Sequence, residues 1–61
     1  MSIRTIIVDD EELARRGLEI RLQDAQDIEI VAQCANGRQA LAAISEHAPD
    51  LMFLDIQMPG L

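Results

Sequence analysis

At 61 residues the chain has room for one small core and none for a second domain, which excludes a multi-domain enzyme within this segment. Eleven carboxylates face five arginines (Arg4, Arg15, Arg16, Arg21, Arg38) and no lysine, a formal net charge of −6; no basic stripe exists for a phosphate backbone, so this segment is not expected to touch nucleic acid directly. A hydrophobic content of 49% with a single phenylalanine predicts a folded, aliphatic core.

The first predicted element is a strand over residues 3–8 (IRTIIV), whose β-branched run meets four acids, Asp9, Asp10, Glu11 and Glu12, that cannot continue a buried strand. A helix follows from about Glu11 to Ala25. Leu13, Ala14, Gly17, Leu18, Ile20, Leu22 and Ala25 share a broad apolar arc, with Glu12, Arg15, Arg16, Glu19 and Gln23 opposite and Arg21 at the arc's edge. Asp9 and Asp10 are placed to cap it. Ile28, Ile30, Ala32 and Cys34 alternate with Glu29, Val31 and Gln33, the period of an edge-like strand. Asn36, with Gln39 three residues on, then opens a second helix carrying Ala40, Leu41, Ile44 and Ala48 on one side, which Pro49 stops. Residues 51–56 (LMFLDI) have the apolar density of a central strand covered on both faces, and a turn, Gln57-Met58-Pro59-Gly60, closes the sequence.

Met1 reads as a genuine start. Only Ile6, Ile7 and Val8 run together before the acids, too few for a signal-peptide core or a membrane span, so a cytoplasmic location is expected. Cys34, the single cysteine, has no internal disulfide partner and reads as a small buried hydrophobe. His47 is placed to complement the C-terminal end of the second helix. Met52 and Met58 read as packing residues, and Arg15-Arg16 as a wet helix face paired with Glu11, Glu12 and Glu19.

The order β-α-β-α-β predicts an α/β fold with parallel strands. With the edge-like second strand outside, the sheet order becomes 2-1-3, one half of a doubly wound, flavodoxin-like sheet whose ligand crevice lies beyond the strand C-termini, between strands one and three. Asp9 and Asp10 end strand one and Asp55 stands near the end of strand three, so these carboxylates are expected to meet there. Like charges so placed repel unless a cation sits among them, and Mg²⁺, which takes one or two carboxylates plus waters and phosphate oxygens, is the economical choice. Shielded in this way, Asp55 is the best-placed nucleophile toward a phosphoryl group.

VDDEELARRGL after the first strand, ANGRQAL opening the second helix and PDLMFLDIQMPG around Asp55 resemble the receiver domain of two-component response regulators over the whole chain. The stretches DEELARRGL and DIQMPGL are also similar to regulators that carry a LytTR-type DNA-binding domain. The resemblance implies that Asp55 is the phosphoacceptor and that Asp10 and Asp55 ligate Mg²⁺ directly. It further implies that Asp9 ligates through water and that the Gln57 backbone carbonyl completes the metal set. A sensor histidine kinase would be the phosphodonor, and the receiver would act as an acceptor module rather than an enzyme, relaying the signal to an output such as transcription.

The same pattern places a Thr or Ser after a fourth strand and a Lys after a fifth, and neither strand nor any lysine occurs in residues 1–61. The chain is therefore expected to be the N-terminal half of a longer receiver, impaired in switching by itself. It is expected to associate with a second copy through the open edge of strand three or through its helices. The alternative is a non-catalytic oligomerising piece whose acidic cluster is only structural.

Overall fold

The computed structural model describes residues 2–55. Within them lie β1 (Ile3–Asp9), α1 (Glu12–Leu22), β2 (Ile28–Cys34), α2 (Gly37–His47) and β3 (Leu51–Asp55). The three strands are parallel and ordered β2-β1-β3, the expected half of a flavodoxin-like doubly wound sheet. Ile56 and the Gln57–Gly60 turn lie outside the described residues.

The β-branched run of β1 takes the central place because it alone is paired on both sides. Thr5, Ile6, Ile7 and Val8 are all at most 1% exposed. Ile6 and Val8 pack with Cys34, Ala40 and Ala43 beneath α2, with Val31 and Ala32 against them, while Ile7 belongs to the face that carries α1. The β1–β2 register steps from Thr5↔Ile30 to Ile6↔Ala32, so Val31 is an extra residue that interrupts the strict alternation expected of β2. As expected, Cys34 is buried, and desolvation pushes its thiol above the ordinary value despite the opposing pull of Arg15.

Both helix ends of α2 follow from local chemistry. Asn36 Oδ1 accepts from Gln39 N–H at 2.9 Å, and Gln39 Oε1 returns to the Ala35 N–H at 2.7 Å, a capping box displaced by one residue. At the other end Ala48 adopts the left-handed conformation (φ 46°) and its N–H closes on Ile44 O. Arg4 then clamps the foot of the sheet. Its Nη2 donates to His47 O at 2.8 Å, its N–H donates to Asp50 Oδ2 at 3.1 Å, and its carbonyl accepts from Asp50 N–H at 2.7 Å.

Three expectations are corrected. Helix α1 ends at Leu22 rather than Ala25, because a turn with Ala25 N–H donating to Leu22 O redirects the chain into β2. Its sheet-facing stripe is Arg15, Leu18, Glu19 and Leu22, all half-buried, whereas Leu13 is 78% exposed and Ile20 is also exposed. Among the described residues α1 packs on β1 and β2 but not on β3, so the β3-facing part of its apolar arc stays open. β3 flanks the sheet, as the order 2-1-3 predicts, but it is not covered on both faces: Leu51, Met52 and Leu54 are exposed, Met52 included although it reads as a packing residue.

Candidate functional site

Asp9 is the last residue of β1 and Asp55 the last of β3, and the parallel register makes them direct partners. Adjacent strands lie about 4.8 Å apart, so two backbone positions carrying carboxylates stand side by side at the C-terminal end of the sheet. Asp10 follows at once in the turn that leads into α1. Together with Glu11 and Ala14 these three aspartates line one cleft of about 310 Å³. The convergence expected from the order of elements is thus present at the level of the cleft, and Gln57 lies outside the described residues.

The side chains do not close on a point. Among the described residues no three carboxylate, imidazole or thiol groups are gathered tightly enough to hold an ion. Asp9 is buried and its Oδ1 accepts from the Glu11 N–H at 2.9 Å, while Asp10 and Asp55 are exposed. Asp9 therefore does not cap α1 in the expected sense. The N-cap residue is Glu11, which makes no side-chain cap bond, and the Asp9 carboxylate instead ties down the turn ahead of the helix.

The sequence spacing of Arg15 predicts a wet face among glutamates, and the structure puts it elsewhere. It is half-buried and its Nη1 donates to Asp9 O at 2.7 Å, while the ion pairs within 4.0 Å among the described residues are Arg4–Glu29 and His47–Glu46. Glu19, one of the three glutamates expected to pair with it, accepts from Gln33 Nε2 at 2.8 Å. Charge spacing along the helix pointed Arg15 to glutamate side chains and gave no signal for a main-chain acceptor at the end of β1. His47 lies in the last turn of α2 as expected, where its carbonyl is satisfied by Arg4.

The family model for the response regulator receiver domain matches residues 5–61. The chain belongs to that family. Over 59 residues it is 56% identical to the transcriptional regulatory protein BtsR of Salmonella typhi, covering 97% of this chain and 25% of that protein. An uncharacterized response regulatory protein of Shewanella oneidensis is 51% identical over 59 residues, with the same shares of the two chains. The protein-glutamate methylesterase/protein-glutamine glutaminase of Alkalilimnicola ehrlichii is 39% identical over 61 residues, all of this chain and 16% of that protein. The receiver sequence thus spans a quarter or less of these relatives. No solved structure matches it significantly.

Proposed function

We propose that residues 1–61 form part of a receiver unit in which Asp55 accepts a phosphoryl group from the phosphohistidine of a sensor kinase, with Asp9, Asp10, Asp55 and the Gln57 carbonyl serving a Mg²⁺ site. The observation that carries this reading is the Asp9↔Asp55 register, with Asp10 in the same cleft. The donors are all oxygen and mostly anionic, with Asp10 and Asp55 open to water, which suits a hard cation that keeps part of its hydration. Asp10 and Asp55 are exposed, so their side chains are free to turn toward a cation in the cleft. When bound, Mg²⁺ would supply charge neutralisation between the carboxylates and an incoming phosphoryl group.

Asp55 sits at the open end of an exposed strand, where a donor reaches it without rearrangement of the core. One of its carboxylate oxygens forms the O–P bond as the donor's N–P bond breaks, and the electron pair returns to the imidazole nitrogen. The chain acts as acceptor, not as an enzyme. A transcriptional output, of LytTR type by the resemblance above, and a cytoplasmic setting complete the proposal for the longer protein. No helix among the described residues is long and apolar enough to cross a membrane. With no lysine in residues 1–61 to meet the phosphoryl group, phosphorylation of this chain alone is expected to be weak and its switching impaired.

A second reading is favoured by one observation: Leu51, Met52 and Leu54 are exposed along β3, whose outer edge is unpaired among the described residues. Such an edge favours association with a second copy. Incubation with Mg²⁺ and acetyl phosphate, followed by intact mass measurement, separates the readings. A phosphoryl mass increment lost in Asp55→Ala supports the acceptor role. No increment in the chain, or one retained in Asp55→Ala, leaves the oligomerising role, which sedimentation checks directly.

A further inference from the structure

We infer that Arg15 is a positioning residue for the aspartate cluster, acting on Asp10 through the Asp9 carbonyl; this rests on the metal-binding reading above. Asp10 has no side-chain hydrogen bond among the described residues, yet the backbone on both sides of it is held. Before it, Arg15 Nη1 donates to Asp9 O at 2.7 Å. That oxygen belongs to the peptide joining Asp9 to Asp10, so holding it restrains ψ of Asp9 and φ of Asp10 together. After it, the Glu11 N–H donates to Asp9 Oδ1 at 2.9 Å and closes a short turn over Asp10.

The donor is well supported. Arg15 is half-buried against the sheet on the same side of α1 as Leu18 and Leu22, and a guanidinium fixed at its stem presents its N–H groups in a rigid fork. Arg16, the next residue, is exposed and makes no side-chain hydrogen bond or ion pair among the described residues. Helix α1 therefore fixes the carboxylate-bearing turn through one arginine of the pair. Freed from that hold, the Asp9–Asp10 peptide gains rotational freedom that must be lost again whenever a cation is gripped.

Charge and positioning act in opposite directions, which makes the inference testable. Removing a cationic side chain beside a carboxylate cluster strengthens cation binding if charge alone matters. Removing a positioning donor weakens it, by about tenfold at the lower end of what outer-shell changes do. The measurement is Mn²⁺ binding by electron paramagnetic resonance, with Mg²⁺ competition, on the 61-residue chain and on Arg15→Met, Arg15→Ala, Arg15→Lys and Arg16→Ala. Arg15→Met keeps an apolar stem in the half-buried position, so the comparison survives if Arg15→Ala fails to fold.

The expected result is roughly tenfold weaker binding in Arg15→Met, near-normal binding in Arg15→Lys, which restores a donor, and no weakening in Arg16→Ala. Unchanged or tighter binding in Arg15→Met overturns the inference and leaves the metal site standing. Equal weakening in Arg15→Lys and Arg15→Met also overturns it, because a restored donor then counts for nothing. Absence of binding in the unsubstituted chain instead defeats the metal reading itself.

Discussion

Replacing Asp55 by Asn should make the protein more stable without magnesium and less responsive to it. Asp9 and Asp55 are register partners and Asp10 shares their cleft. For carboxylates about 5 Å apart in a water-like dielectric the repulsion is about 0.8 kcal/mol per pair before salt screening. Asp55 and Asp10 are exposed, so the water-like value applies, and removing one of the charges should raise unfolding stability by about 0.5 kcal/mol at 0.1 M salt. A ligand at ten times its dissociation constant adds about 1.4 kcal/mol to the native state. Urea titrations followed by circular dichroism, with and without Mg²⁺, measure both quantities. The unsubstituted chain should gain stability with Mg²⁺, and Asp55→Asn should start higher and gain much less. An Asp55→Asn variant that keeps the full Mg²⁺ increment would refute the claim that the strand ends share one cation site.

The remaining predictions concern the frame that holds the site. Arg4→Met should lower stability by about 1 kcal/mol in urea melts, mainly through the hydrogen bond to His47 O, because the 4.0 Å contact with Glu29 lies between two half-exposed side chains. Asn36→Ala removes the acceptor for the Gln39 N–H and should cost about 1 kcal/mol, visible as earlier loss of helical signal. Burial raises the Cys34 thiol, so the native chain holds that proton at a pH where the unfolded chain releases it. Stability from this group is therefore complete below pH about 8.5 and falls as pH rises through the raised native value. With no lysine or tyrosine titrating in that window, the alkaline decline in thermal melts should vanish in Cys34→Ala.

The elements were legible because hydrophobic period and punctuation agreed. The IIV run became the buried centre of the sheet, Asn36 and Gln39 opened α2, and helix two ended at His47, two residues before Pro49. The strand order and the side-by-side placement of Asp9 and Asp55 followed from one edge-like and one strongly apolar strand flanking β1. What misled was the helical wheel of α1. A wheel shows which residues could face a layer but not how wide that layer is. Three strands cover only the Arg15–Leu18–Glu19–Leu22 side, so Leu13 is left in water and Arg15 is drawn in. The hydrogen bond from Arg15 to Asp9 O was invisible for a related reason: charge spacing suggests partners among side chains and is silent about main-chain carbonyls.

The division between what this segment does and what its longer relatives do follows from the same architecture. Its similarity extends to a transcriptional regulator and to a protein-glutamate methylesterase, proteins with different named activities, so output is not set by the shared residues. Within this segment β1 meets two demands. Thr5 to Val8 supply most of the fully buried side chains, and the next residue, Asp9, begins the carboxylate cleft. A strand paired on both sides offers a rigid base: its last buried residue, Asp9, has its carboxylate satisfied by the Glu11 N–H, and the exposed Asp10 follows at once on a backbone held still. Asp55 gains the same precision by pairing with Asp9, although its own strand is largely exposed. Changes along the outer side of β3 should therefore affect association before they affect the geometry of the cleft. Changes at Ile6, Ile7 or Val8 should affect both at once.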